Sequence, residues 1–136
     1  MGTGKFKRSW ADERTQGEHE RALNELNNNV KYSSSGVFEL TNLRLVSHNG
    51  GYQVIFWNPE ETYTPSQYAN VMNDFMRYSY LHRAEATKED GEARISFLIP
   101  NKRDALRLAR RYNQSSVWDW ANGRALSTER RLRRGI

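Results

Sequence analysis

Apolar positions are sparse up to about residue 30. Within Ser9 through Asn29 only Ala22, Leu23 and Leu26, with Val30 just beyond, recur at spacings of three and four. That narrow seam predicts a short polar helix that docks weakly or serves a partner. Asn27-Asn28-Asn29 ends it, and Ser33-Ser34-Ser35-Gly36 joins it to the main domain. From Val37 the spacing changes to two. Phe38 and Leu40, then Leu43 and Leu45, alternate with a phase shift at Thr41-Asn42, which predicts two strand segments around a bulge. Asn49-Gly50-Gly51 reads as a hairpin turn, because Asn and Gly tolerate positive φ. Val54-Ile55-Phe56-Trp57 is apolar on both faces and predicts a central strand, stopped by Asn58-Pro59.

Thr64-Pro65-Ser66-Gln67 has the form of a capping box with Pro at the first helical position. It opens a helix that places Tyr68, Val71, Met72, Phe75 and Ser79 on one face through about Leu81. Ala84–Lys88 and Arg94–Ile99 read as paired strands around Glu89-Asp90-Gly91, the second one ended by Pro100. Asn101 caps a second helix whose Ala105, Leu108, Ala109 and Tyr112 face the core. Val117–Trp120 is a last strand, and Asn122-Gly123 turns the chain into an Arg-rich tail. The expected class is α+β, in the order β-β-α-β-β-α-β. It implies an antiparallel or mixed sheet with two helices on one face, ferredoxin-like, plus a polar N-terminal helix and a basic C-terminal tail. The expected divisions are an extension over 1–35, a domain over 36–123 and a tail over 124–136.

Composition adds limits. The chain has 136 residues, enough for one core, and no cysteine, which excludes disulfides, a thiolate nucleophile and cysteine-ligated metals. His19, His48 and His82 stand without a second ligand at metal spacing or an obvious acidic partner, so no metal and no cofactor are expected. The first ten residues lack the apolar stretch of a secretory signal, and no apolar run approaches membrane-spanning length. A cytoplasmic protein is the expectation.

The net charge of +5 is unevenly placed: residues 1–100 hold 11 basic and 13 acidic side chains, residues 101–136 hold 10 and 3. Arg103, Arg107, Arg110 and Arg111 fall on one face of the second helix. The tail adds Arg124, Arg130, Arg131, Arg133 and Arg134. This surface predicts phosphate-neutralising, salt-sensitive binding to nucleic acid or to an acidic host protein, or else a solvated helix face. Trp118 and Trp120, on one face of their strand, would either stack bases or fill the core.

Three stretches carry a resemblance. They are Tyr52-Gln-Val-Ile-Phe-Trp-Asn-Pro59, Glu92-Ala-Arg-Ile-Ser-Phe-Leu-Ile99, and Ala105-Leu-Arg-Leu-Ala-Arg-Arg-Tyr-Asn-Gln114 before Val117-Trp118. In that order they resemble a family of small uncharacterised bacterial and phage proteins. More distantly they resemble the bacteriophage S-adenosylmethionine lyases that act against restriction systems. The lyase resemblance implies that the substrate's own carboxylate attacks its γ-carbon and expels methylthioadenosine, leaving homoserine lactone. The enzyme then contributes proximity and charge stabilisation. Carried over by position, Glu92 would be the catalytic carboxylate facing the sulfonium, with Gln114, Asn58 and Tyr80 binding the ligand. The resemblance also implies a trimeric homo-oligomer. Beside this enzyme stand two other expectations. One is a non-catalytic binding module acting through the Arg-rich helix and tail. The other is a phage virion or accessory structural protein.

Overall fold

A computed structural model describes residues 3–56 and 63–129, and for residues 3–14 the helical backbone alone. The elements run α1 (Thr3–Asn28), a 3-10 turn (Val30–Tyr32), β1 (Gly36–Glu39), β2 (Leu45–Val46) and β3 (Tyr52–Ile55). They continue with α2 (Pro65–Met76), β4 (Glu85–Glu89), β5 (Glu92–Ile99), α3 (Lys102–Arg111), β6 (Ser116–Asp119) and β7 (Arg124–Ser127). All seven strands join one antiparallel sheet in the order β2-β1-β4-β5-β3-β6-β7. The α+β class and the antiparallel sheet therefore hold, with three helices and seven strands among the described residues.

Local chemistry sets the helix starts and the central hairpin. Thr64 Oγ1 accepts from Gln67 N at 3.2 Å while Gln67 Oε1 accepts from Thr64 N at 2.9 Å, so two orphan donors of α2 are satisfied reciprocally. Asn101 Oδ1 caps α3 through Asp104 N. Asp90 and Gly91, at φ of 53° and 79°, make the two-residue turn between β4 and β5. α2 ends at Met76, short of the expected Leu81.

Three local expectations change. The phase shift at Thr41-Asn42 is a turn and not a bulge. Leu43 N donates to Glu39 O, Glu39 N donates to Arg44 O, and β1 folds back onto β2. Asn49-Gly50-Gly51 is not a hairpin. β2 pairs only with β1 at one edge, whereas β3 lies between β5 and β6, so the segment carries the chain across the sheet. A Cβ at Gly51 (φ 85°) would come within 2.9 Å of Leu98, so this crossing needs glycine. The chain after Asn122-Gly123 begins with a further strand, β7, paired antiparallel with β6.

The core lies on one face of the sheet. Phe38, Ala86, Ile95, Phe97, Val54 and Val117 meet Leu23 and Leu26 of α1, Tyr68, Val71 and Phe75 of α2, and Ala105 and Leu108 of α3. Phe56, Phe75 and Phe97 form its centre, with ring centroids 5.2–5.7 Å apart. The expected seam of α1 holds at Leu23 and Leu26, but Val30 is exposed beyond the helix end. The end of α1 is fastened by polar bonds as well. The buried Lys88 of β4 donates to the carbonyls of Leu26 (2.6 Å) and Tyr32 (2.5 Å), satisfying a helix C-terminus that lacks intrahelical partners. Ala93 N donates to Asn27 Oδ1 at 2.8 Å.

Further along α1, His19 Nδ1 lies 2.5 Å from the Tyr68 hydroxyl. Burial pushes the His19 pKa down to about 4 and the Tyr68 phenol up, so a neutral imidazole accepts from a protonated phenol. Between pH 6.5 and 4 the unfolded chain binds a proton at His19 that the folded chain does not. This contribution to stability is complete above pH 6.5 and falls as pH drops toward 4. Urea unfolding at pH 7.5 and pH 5 is expected to differ by about 2 kcal/mol from this residue, and His19→Gln is expected to flatten the difference.

Candidate functional site: a trough on the opposite face of the sheet

Residues proposed from the sequence come to rest in different places. Glu92 opens β5, its side chain 43% exposed and 3.0 Å from Arg94 Nη2, in a recess shared with Glu20, Asn24 and Asn27 of α1. Gln114 follows α3. Its side chain donates to Tyr112 O at 3.2 Å, and its backbone carbonyl accepts from Thr128 Oγ1 at 2.8 Å. Tyr80 is 70% exposed, beside Gly50, Leu98 and Pro100. Glu92 and Tyr80 thus line two separate cavities, and Gln114 lines neither of them. Asn58 lies outside the described residues, as do Arg130, Arg131, Arg133 and Arg134.

The four arginines of α3 point to different partners. Arg107 Nη2 donates to Asp104 at 3.2 Å and stacks over Tyr78 at 4.9 Å. Arg110 Nε donates to Thr128 O at 2.7 Å, which fastens the end of β7 to the helix. Arg111 Nη1 lies 2.6 Å from Asp74 Oδ2, which also accepts from the Tyr112 hydroxyl at 2.8 Å. Desolvation, with the Asp74 carboxylate beside it, pushes the Tyr112 phenol up to about 12. Arg103, by contrast, is exposed near the start of α3. Three of the four guanidiniums therefore hold α3 to its surroundings.

The opposite face of the sheet has a different character. By register, Val37, Thr87, Arg94, Glu85, Ser96, Ile55, Leu98, Gln53 and Trp118 all point away from the core. Several are nonetheless buried: Val37, Gln53, Glu85, Ser96 and Leu98 are all nearly or wholly out of solvent. The β2–β3 connection and Trp120 cover part of this face: His48 lies on Glu85, Gly51 against Leu98, and Trp120 on Gln53. β1 and the β6–β7 pair stand three strands apart in the sheet, yet Gly36 and Val37 line one cavity of about 310 Å³ with Trp118 and Ala125. The sheet curls into a trough with Gln53, Ile55 and Thr87 on its floor.

Beneath this floor runs a continuous polar chain. The wholly buried Glu85 faces His48 Nε2 at 2.9 and 3.1 Å and accepts from Gln53 Nε2 at 2.8 Å. Gln53 Nε2 donates its other hydrogen to Ser96 Oγ at 3.0 Å, and Thr87 Oγ1 donates to Ser96 Oγ at 2.8 Å. Gln53 Oε1 accepts from Trp120 Nε1 at 2.9 Å, and the Trp120 ring stands edge-on to His48 at 5.3 Å. A buried carboxylate without donors would be strongly unfavourable, and here Gln53 is itself fixed by bonds to Ser96 and Trp120 while the His48 ring is held edge-on against Trp120. The result is a rigid floor and one rigid aromatic wall, with the Trp118 indole (41% exposed) open to solvent beside it.

His48 thus has an acidic partner that its sequence neighbourhood does not reveal, because Glu85 is 37 residues away. The legible trace was Gln53 and Ser96, polar residues within the largely apolar runs of β3 and β5. Trp118 and Trp120 do share a face, and it is the trough face rather than the helix-covered core.

Among the described residues no helix is long and apolar enough to cross a membrane, and no three His, Asp or Glu side chains are grouped to hold a metal. Compared with known protein families, curated proteins and solved structures, the chain matches none.

Because Glu85 anchors both His48 and Gln53, its removal strands their donors. Glu85→Ala is expected to lower stability by about 3–5 kcal/mol in urea unfolding. Trp118→Ala, on an exposed position, is expected to stay within about 1 kcal/mol of wild type in the same measurement.

Proposed function

We propose that the protein binds a small ring-bearing molecule in the trough, and that its activity is cleavage of S-adenosylmethionine to methylthioadenosine and homoserine lactone. The observation that carries the reading is the trough itself. It is a concave site of about 310 Å³ with an exposed indole against a preorganised polar floor. Trp118 offers a platform for adenine. Two residues carried over from the lyase resemblance do not line the trough themselves but neighbour residues that do. Glu92 is the direct cross-strand partner of Glu89, and Gln114 precedes Ser116 by two residues; Glu89 and Ser116 both line the cavity.

The reaction needs no protein nucleophile. The substrate carboxylate forms a bond to its γ-carbon as the carbon–sulfur bond breaks, and the bonding electron pair leaves with the sulfur of methylthioadenosine. On the resemblance, Glu92 would hold the sulfonium and Gln114 the amino-acid end; Tyr80 lines a separate cavity and takes no part in this reading. We read β3-α2-β4-β5-α3-β6 as a ferredoxin-like core, since its strands stand in the order β4-β5-β3-β6, with helices packed on one face and β1, β2 and β7 added at the edges. The biological setting proposed is a phage-type anti-restriction protein in the host cytoplasm, assembled as the trimer that the resemblance implies. A basic surface for nucleic acid or an acidic host protein is the weaker reading, because Arg107, Arg110 and Arg111 already have partners.

Incubation of the purified protein with S-adenosylmethionine, followed by chromatography for methylthioadenosine, tests this directly. Wild type is expected to form product, Glu92→Gln to lose about 100-fold in kcat, and Trp118→Ala to raise KM about tenfold. Absence of product at micromolar enzyme sinks the lyase activity. Binding of the substrate without turnover would leave the trough as a binding site.

A further inference from the structure

We propose that a recess beside the β2–β3 connection is a second site, separate from the trough, in which His48 acts as a general base in the hydrolysis of small esters. It stands whether or not the trough takes a ligand.

The recess holds about 440 Å³ over one end of β5, between the β2–β3 and α2–β4 connections. Both connections are fixed to the same strand. Gly51 lies against the Leu98 side chain, and Tyr80 N donates to Leu98 O at 3.2 Å. Leu81, Leu98 and Pro100 give the recess an apolar side, and Asn49 and Tyr80 a polar one.

His48 lines this recess and not the trough. Its two ring nitrogens are in different situations. Nε2 faces both oxygens of the wholly buried Glu85, at 2.9 and 3.1 Å, so it carries the hydrogen and leaves the lone pair on Nδ1. Among the described residues Nδ1 has no hydrogen-bond partner. The buried polar side-chain atoms left without a partner there are Ser79 Oγ and Arg94 Nε, so Nδ1 is open to solvent. The Trp120 ring, edge-on at 5.3 Å, holds the imidazole in place. Trp120 N donates to Gly51 O at 3.1 Å, which ties that ring to the same connection.

A carboxylate behind the ring and a lone pair in front of it, at the side of a partly apolar recess, is the arrangement a general base requires. With an ester in the recess, Nδ1 takes a proton from water as the water oxygen bonds to the carbonyl carbon. The carbonyl π pair moves onto its oxygen. It returns to re-form the double bond as the bond to the alcohol oxygen breaks. The alcohol oxygen leaves with that bonding pair and takes the proton back from Nδ1, and a carboxylic acid remains. While the proton is on Nδ1, the positive charge of the ring stands beside Glu85.

The test follows p-nitrophenolate released from p-nitrophenyl acetate by the purified full chain, with N-acetylhistidine methylamide as the unassisted imidazole. Wild type is expected to turn over repeatedly and to saturate, with kcat/KM about 100-fold above the second-order rate of the free imidazole. His48→Gln, which keeps a donor for Glu85, is expected to lose that advantage. His82→Asn, at an exposed position with positive φ that Asn tolerates, is expected to keep it. Glu85 acts through His48 as a positioning residue, so Glu85→Gln is expected to lower kcat at least about tenfold with KM unchanged. Tyr80→Ala, at a position 70% exposed, is expected to raise KM several-fold with kcat unchanged. A rate no greater than that of the free imidazole overturns the proposal, as does an unchanged rate in His48→Gln or a wild-type kcat in Glu85→Gln. An unchanged KM in Tyr80→Ala puts the reaction outside the recess and overturns it as well, and this variant decides the matter where His48→Gln does not fold.

Discussion

A carboxylate with no solvent contact sits in the middle of the sheet, and much of the opposite face is arranged to satisfy it. Glu85 stands in register between Glu39 of β1 and Ser96 of β5, out of solvent, and can stay there only while donors face it. His48 and Gln53 supply them. Once Gln53 is committed through its amide nitrogen, its carbonyl oxygen has one remaining direction, and Trp120 fills it. One buried charge thus orients an amide, the amide orients an indole, and the indole forms one wall of the trough. The same chain also spans the sheet. His48 comes from the β2–β3 connection, Glu85 from β4 and Trp120 from the turn after β6, so the network ties three separated parts of the sheet together.

The core face has a different logic, in which the N-terminal helix is part of the closure. Lys88 could not be buried on β4 without the Leu26 and Tyr32 carbonyls, and those carbonyls would lack partners without Lys88. The His19–Tyr68 bond works in the same mutual way between α1 and α2. The last turns of α1 therefore depend on β4, β5 and α2 for their order.

Local features were legible in the sequence where a few adjacent residues determine the geometry. Thr64–Gln67, Asn101 and Asp90-Gly91 each carry their own backbone instructions, and each forms as its residue types require. Asn49-Gly50-Gly51 shows the limit of such reading. Its residues specify a tight turn, but whether the turn joins neighbouring strands depends on where β3 pairs, which is decided by β5 and β6. β7 was not legible because four residues with a single large apolar side chain carry too little pattern, and pairing with β6 makes the strand. The trough was invisible for the same reason. Its polar links span 32 to 67 residues along the chain, and nothing in the local pattern says that Gln53, Glu85 and Trp120 meet.

Net charge is a poor guide to such a site. The chain carries +5, yet much of the excess lies on α3 and beyond, and α3 joins the core from the side away from the trough. Between them stand the core side chains and the sheet, and exposed charges separated by more than about 8 Å are largely screened at physiological salt. The arginines of α3 are further tempered by Asp74, Asp104 and the Thr128 carbonyl. The trough is lined instead by its own local groups, the Trp118 indole and the Glu89 carboxylate among them, on a chain whose formal charge is positive.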